Sequence, residues 1–373
     1  MATYRYLTYD LLSGEVLADL PFYDVSYSCV LNRAGSFSGT LPLFGVDQLS
    51  ISTLEAGRHG LVVERDGAIV WNGIVWTVDC DVVAHTVRVS GEGTWSFFRR
   101  RLLRSTTTDR YVDQEFQVLG LTGPYYYDTD PLLIAQELVQ YAQSASIFGT
   151  NANIQVQVGG ERSARVVETY EPADYTYPVI AQEVETLASS WDRGFDFDIV
   201  AYWSGRKIAK RFRCGAPHLG DSTDKVYELG RNITTMSVSW DGTQLAGFVI
   251  GSGDGSGVSQ AVQFYTTPGY TYPLYDTTAS WSNLDDDVRL AWLTIARANK
   301  RKLPLPLPKI TTNDIVDPEI HDRIPGDEVT VRAQYGYIDV DGRYRILGYD
   351  VSPGNDGNAT IKIDLAPTEL FDE

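Results

Sequence analysis

Short segments in which apolar and polar residues alternate dominate the chain. YRYLTYD, EVLADL and DVSYSCVL follow one another near the start, separated by Ser-Gly or Pro breaks. That period of two predicts strands with one wet face. GLVVER-DG-AIVWNGIV carries the strongest local signal, because Asp66-Gly67 supplies the positive-φ pair that a two-residue hairpin turn requires. The same reading predicts hairpins at Asp241-Gly242 in NITTMSVSW-DG-TQLAGFVI, at Asp341-Gly342 in YGYIDV-DG-RYRILGYDV, and at Ser204-Gly205 in FDFDIVAYW-SG-RKIAKRF.

Three segments carry the 3.6-residue period instead. In TYPVIAQEVETLASSWD, residues Ile180, Val184, Leu187, Ala188 and Trp191 fall on one helical face, which predicts burial of all five. PLLIAQELVQYAQS opens with Asp130-Pro131, a capping residue followed by proline at the first helical position. A third helix, expected over 285–302, has aspartates at its start and Lys300, Arg301 and Lys302 at its end, so both ends match the macrodipole. The LPLPLP that follows cannot continue a helix and reads as an extended connector.

These landmarks predict a mainly β (α+β) chain of three parts: an N-terminal β-barrel-like unit over 1–110, a middle α/β unit over 111–230, and a C-terminal β-barrel-like unit over 231–373 that holds the third helix. GLVVERDGAIVWNGIVWTVDCDVVAHTVRVSG and EVTVRAQYGYIDVDGRYRILGYDVSPGNDGNATIKIDL share one order, strand, turn, glycine-bearing strand, turn, closing strand. That echo raises the expectation of a duplicated barrel.

Composition sharpens this picture. The 23 Tyr, 13 Phe and 8 Trp favour pleated, half-buried surfaces. The formal net charge of −18 argues against a duplex-binding surface, and the lysines begin only at Lys207. No apolar run approaches the ~18 residues that cross a bilayer, and the N-terminus lacks a signal-peptide core, so a soluble, unsecreted protein without stable membrane association is expected. Cys29, Cys80 and Cys214 lie far apart in strand-like runs and are expected to be reduced packing residues.

A search for chemistry yields no expected catalytic, cofactor or metal residues. No serine sits in G-x-S-x-G, and the S-x-x-K matches Ser204–Lys207 and Ser222–Lys225 do not open helices. His59, His85, His218 and His321 are scattered without zincin spacing. The loop Gly251–Gly257 lacks the lysine of a phosphate-cradling loop and reads as a connection between strands. The pairs Asp79/Asp81 and Asp196/Asp198, and the run Asp285–Asp287, suit a wet sheet face better than a glycosidase cleft. Tyr125, Tyr126 and Tyr127 beside Asp128 and Asp130 suit a protein interface better than a sugar platform. These pairs and tyrosines nevertheless keep open an alternative, a carbohydrate-active or carbohydrate-binding protein acting on a host envelope.

The run GSFSGTLPL, the L-x-x-L-x-x-G after it, LVVERDGAIVWNGIV and the strand ending VSGEGTWSFFRRRLL resemble the opening of phage tail hub proteins. NITTMSVSWDGTQLAGFVIGSGDGSG, the Ala- and Arg-rich helix and the close GRYRILGYDVSPGNDGNATIKIDL fit the rest of that family, the tail-associated or minor tail proteins of long non-contractile-tailed phages, similar in architecture to the central baseplate hub of contractile phages. The resemblance implies a non-enzymatic virion protein, synthesised in the host cytoplasm and placed at the tail tip. It implies a homotrimer in which two similar barrels per subunit alternate around the axis, so that three copies mate with a hexamer of the distal tail or tail-tube protein. The implied further partners are the tape measure protein and other tail-tip or receptor-binding proteins. The hub would join the tail tube to tip proteins and gate DNA passage; DNA would pass without specific binding, and a channel wall of like charge would help it. Because the chain stops at LAPTELFDE, the resemblance also implies a compact hub that leaves host recognition and peptidoglycan cleavage to other tail proteins.

Overall fold

The computed structural model describes residues 2–44, 52–103, 109–112, 118–121, 126–144, 151–163, 167–170, 177–189, 194–281, 284, 287–313, 324–354 and 358–368, without side chains over 109–112, 118–121, 126–128 and 167–170. The first part supplies β1 (Tyr4–Asp10), β2 (Val16–Asp19), β3 (Tyr23–Val30), β4 (Ser36–Pro42), β5 (His59–Arg65), β6 (Ala68–Asp81) and β7 (Thr86–Gly93). The middle part holds β8 (Asp109–Val112), β9 (Val118–Leu121), β10 (Tyr126–Thr129), α1 (Pro131–Ser144), β11 (Val156–Val158), β12 (Val167–Tyr170), α2 (Ile180–Ala188), β13 (Asp196–Ser204) and β14 (Lys207–Gly215). Then come β15 (Ser222–Glu228), β16 (Thr235–Trp240), β17 (Phe248–Ser252), β18 (Val262–Thr266), β19 (Asp276–Ser280), α3 (Asp287–Arg301), β20 (Pro306–Asn313), β21 (Glu328–Tyr335), β22 (Ile338–Pro353) and β23 (Ala359–Pro367).

The architecture is mainly β, and the large sheet runs in the order β16-β20-β23-β22-β3-β4-β7-β6-β5-β1-β2, with β21 beside β22 and β15 beside β21. Among the described residues this path does not close on itself, so the expected barrels are open sheets in the strand pairing. Cut between β3 and β22, it falls into two halves of matching order, β3-β4-β7-β6-β5-β1 and β16-β20-β23-β22-β21-β15. Each strand of the first half has its counterpart at the same place in chain order in the second. Even the irregularities repeat: β6 slips against β7 between Val75 and Thr77, and β22 slips against β23 between Ile346 and Gly348. One step departs, since β1 lies antiparallel to β5 whereas β15 lies parallel to β21.

Both halves contribute to one hydrophobic core, in which Tyr6, Phe22, Phe37 and Trp71 meet Tyr344, Ile346, Val351 and Ile363. A second core lies on the other face of the first half. There Leu7, Tyr9, Val62 and Ile74 pack with Trp95, Phe98, α1, α2 and the strands β13 and β14. Period-two alternation is what makes two cores possible, because Tyr6 and Leu7 point to opposite faces of β1.

Local turn chemistry succeeds at Asp66-Gly67, where φ values of +51° and +88° let Arg65 pair directly with Ala68. The β13–β14 hairpin forms one residue later than expected: Ser204 pairs with Lys207, leaving Gly205-Arg206 as the turn. The other two hairpins differ. Asp341 and Gly342 lie inside β22 opposite Arg332 and Val331, and the turn is made by Gly336 (φ +61°) and Tyr337. Asp241-Gly242 makes no hairpin, since β16 pairs with β20 and β17 pairs with β18 and β19. Instead Asp241 Oδ1 accepts from Thr243 N (2.8 Å) and Thr243 Oγ1 (2.7 Å), and the chain departs into a small unit of β17, β18, β19 and α3 inserted between β16 and β20.

Candidate functional site

Three parts of the chain meet at a buried polar clasp. Asn32 follows β3, Asp196 opens β13, and Arg345 lies in β22. Asn32 Nδ2 donates to Asp196 Oδ1 (3.0 Å), and Phe197 N donates back to Asn32 Oδ1 (2.7 Å). Arg345 Nη2 donates to Asp196 Oδ2 and to Leu219 O (3.0 Å), while its Nε donates to Gly326 O (3.0 Å). Leu219 N adds a further bond to Asp196 Oδ2 (2.9 Å). Arg345 is 1% exposed and Asp196 5%, so this ion pair is removed from water. Such a pair stabilises only when its remaining donors and acceptors are matched, and the backbone carbonyls of Leu219 and Gly326 do that here.

A second pair lies beside it. Arg213 Nε donates to Asp198 Oδ1 (2.9 Å) and its Nη2 to Asp198 Oδ2, the two-pronged geometry of a guanidinium on a carboxylate. Burial pushes the Asp198 carboxyl above its ordinary value, with Arg213 opposing that shift. The expectation of a wet acidic face over Asp196 and Asp198 is therefore corrected: both are clasp residues.

Two clefts flank the junction. One of about 900 Å³ runs between the turn after β3, α2 and β22, lined by Asn32, Arg33, Glu183, Thr186, Tyr349 and Asp350 among others. The other, about 160 Å³, lies between β3, β6 and β13. Among the described residues, neither brings a nucleophile, a base and an orienting group together, which is the arrangement that covalent catalysis requires.

Lys210 is a separate feature that strand alternation hides. It stands between Ile208 and Phe212 on the core-facing side of β14 and is fully buried. Its ammonium lies 4.7 Å from the centre of the Tyr9 ring and has no hydrogen-bond partner among the described residues. Burial lowers its pKa to about 8, with Asp10 pulling weakly the other way.

The remaining sequence candidates are dispersed. Asp79 and Asp81 are exposed on β6, and Asp81 Oδ1 caps the following turn through Val83 N (2.9 Å) and Ala84 N (2.8 Å). Asp130 Oδ1 caps α1 through Leu132 N (2.8 Å) as expected, and its Oδ2 also accepts from Ser163 N (2.6 Å). Ser204 and Lys207 face each other across a hairpin mouth, where Lys207 Nζ reaches Glu15 Oε1 at 3.3 Å; Ser222 Oγ accepts from Arg343, and Lys225 lies along β15. His59 is buried with Nδ1 accepting from Glu55 N (3.2 Å), and burial lowers its pKa. The His85 ring lies 5.0 Å from that of Phe44, and His218 Nδ1 is 4.0 Å from Asp196 Oδ2. Among the described residues no group of three or more His, Cys, Asp or Glu is placed to hold a metal ion.

Cys29 and Cys214 are packing residues as expected, and burial pushes both thiols up to about 12. Cys80 differs: it is exposed near the end of β6. The loop Gly251–Gly257 leads from β17 toward β18. A Cβ on Gly251 would sit 2.0 Å from Thr294 Oγ1, and one on Gly253 would sit 2.4 Å from Leu284 O, so the glycines admit α3 and its lead-in. Helix α3 starts at Asp287 and buries Leu290, Leu293 and Ala298. Trp191, Asp285, Asp286, His321 and Tyr125 lie outside the described residues, as do the side chains of Tyr126, Tyr127 and Asp128.

No family model matches the chain, and neither does any curated protein. Solved structures do. A tail protein from Neisseria meningitidis MC58 is similar over 99% of this chain and 98% of its own, with a TM-score of 0.61 at 14% identity. The 43 kDa tail protein of prophage MuSo2 from Shewanella oneidensis is similar over 99% and 100%, with a TM-score of 0.65 at 11% identity. Prophage tail protein gp18 from Listeria monocytogenes EGD-e is similar over 96% and 94%, with a TM-score of 0.55 at 13% identity. The chain thus shares the fold of phage and prophage tail proteins across nearly its whole length.

Proposed function

We propose that this chain is a structural, non-enzymatic component of a phage tail or baseplate, assembling as a homotrimeric hub at the distal end of the tail. The observation that carries this reading is the duplicated strand order. A chain with two near-equivalent halves offers two near-equivalent docking surfaces, so three copies around an axis present six. That number lets a trimer mate with a hexameric tail tube. Similarity to tail proteins end to end supports the same reading.

In this hub, residues 1–110 and 231–373, together with β15, form the alternating ring, and the rest of residues 111–230 projects from it as the middle unit. The ring joins the tail tube on one side to the tape measure protein and to tip or receptor-binding proteins around it. Its opening passes DNA without holding it, and the net charge of −18 supports a wall of like sign. The clasp of Asn32, Asp196 and Arg345 keeps the three parts of each subunit in fixed relation while load passes through the ring.

Electron microscopy of the purified protein tests the assembly. The expected images are rings with a central opening and threefold symmetry that approaches sixfold. Solitary particles without an opening would contradict the reading.

A further inference from the structure

The small unit inserted between β16 and β20 has a sheet face turned away from its helix. The sheet runs β18-β17-β19. Val249 of β17 and Tyr265 of β18 point toward α3, where they pack with Ala298. Alternation turns Phe248 and Ile250 the other way, and the register sets a residue of each neighbouring strand beside them. Thr266, Phe248 and Asp276 form one row across the face, and Phe264, Ile250 and Thr278 form the next.

Side-chain chemistry divides that face lengthwise. β18 and β17 carry its apolar part, where the rings of Phe248 and Phe264 lie nearly parallel, tilted by 7° with centroids 6.1 Å apart. Phe264 is 64% exposed. β19, at the sheet edge, carries Asp276 and Thr278, both exposed. Among the described residues, the side chains of Thr266, Asp276 and Thr278 make no hydrogen bond or ion pair. Because β17 and β19 are neighbouring strands about 4.8 Å apart, the carboxylate and the hydroxyl stand within a side chain's reach of Phe248 and Ile250.

Charge narrows what this face can take. Residues 241–305, all that lies between β16 and β20, carry six acidic and five basic side chains, nearly neutral in a chain of net charge −18. None of the basic ones stands in the two rows, although a nucleic acid backbone would need them there. An apolar protein surface would cover the rings but strip water from Asp276 and the hydroxyls without replacing it. A sugar matches both parts at once, since its C–H face lies on an aromatic ring while the hydroxyls at its rim reach sideways. Asp276 can only accept from those hydroxyls, whereas Thr266 and Thr278 can accept and donate.

We propose that this face binds a neutral oligosaccharide, with one sugar ring stacked on Phe264 and the next lying over Ile250 and Phe248 within reach of Asp276 and Thr278. With Asp276 as the one carboxylate of the two rows, the face lacks the pair that glycoside hydrolysis uses, so it holds sugar without cleaving it. The acidic pairs and tyrosines that the sequence offers for sugar chemistry lie elsewhere in the chain. This inference goes beyond the hub reading and does not depend on it.

The test uses the full-length protein on an array of neutral oligosaccharides built from hexoses, N-acetylhexosamines and deoxyhexoses, followed by calorimetric titration with the best binder. Phe264→Ser and Asp276→Ala are each expected to weaken binding by roughly tenfold or more. Trp292→Ala, which changes a residue of α3 that is 68% exposed, should leave it unchanged. Melting curves confirm that the variants stay folded, and Thr278→Val provides a milder change if one of them does not. Absence of binding to every arrayed sugar would overturn the proposal, as would binding that survives both Phe264→Ser and Asp276→Ala. Sedimentation with phosphatidylethanolamine–phosphatidylglycerol vesicles that requires Phe264, without sugar binding, would overturn it in favour of a lipid surface. The native mass of the same samples separates the two readings: a trimer that binds no sugar sinks this proposal alone, and a monomer that binds sugar upholds it while contradicting the hub.

Discussion

Arg345 in β22 and Asp196 in β13 form an ion pair across 149 residues of sequence, with both side chains buried and Asn32 also bonded to the carboxylate. Removing one partner leaves the other charge uncompensated out of water. Arg345→Met is therefore expected to cost about 3–5 kcal/mol in urea denaturation, and Asp196→Asn a comparable amount. The double variant should lose less than the two single losses combined. Full additivity would show that the two side chains do not depend on each other.

Lys210 gives stability a specific pH dependence. Its pKa falls from an ordinary 10.5 to about 8 in the folded protein, so between those values the unfolded chain holds the extra proton. Stability due to this group therefore rises with pH across that window and carries its full penalty below pH 8. Lys210→Met, of similar volume, is expected to gain stability at pH 7 by up to about 3 kcal/mol, with the gain shrinking toward pH 10. Melting curves of the two proteins from pH 7 to 10 check this, and a constant difference would show that Lys210 is not the titrating group.

Two glycines should respond differently to a side chain. A Cβ at Gly67 meets nothing within 4 Å, so Gly67→Val is expected to cost only the strain of φ +88°, about 1–2 kcal/mol. A Cβ at Gly326 would sit 2.0 Å from Leu219 O, and both Gly326 and Leu219 hold Arg345 through their carbonyls. Gly326→Ala should therefore lower the melting temperature more than Gly67→Val does. The reverse order would contradict the clasp.

Asp130 satisfies two backbone amides with one carboxylate. Asp130→Ala is expected to cost about 1 kcal/mol for the lost helix cap, and somewhat more because Ser163 N also loses its acceptor. Hydrogen exchange should quicken at both amides, and unchanged exchange at Leu132 would contradict the cap.

The legible parts of this fold were those set by short-range rules. Alternation found the strands, and Asp66-Gly67 found its hairpin because no competing turn lies nearby. Asp341-Gly342 misled because Gly336 offers an equally local turn, and the choice is made by register: Val329, Val331 and Ala333 are buried only when Tyr335 pairs with Ile338. Asp241-Gly242 misled because nothing local says whether the chain returns or departs into an insertion. The Asp198–Arg213 pair could have been found by counting back equally from the Gly205-Arg206 turn. Arg345 with Asp196, and Lys210 with Tyr9, could not, since their partners come from distant strands and charged residues in an alternating segment read as its wet side.

The most direct test of the account is the native mass of the purified full-length chain, measured by mass spectrometry from non-denaturing solution. The account predicts a species of three times the 41.5 kDa chain. A chain that stays at its single mass at every concentration measured would contradict it.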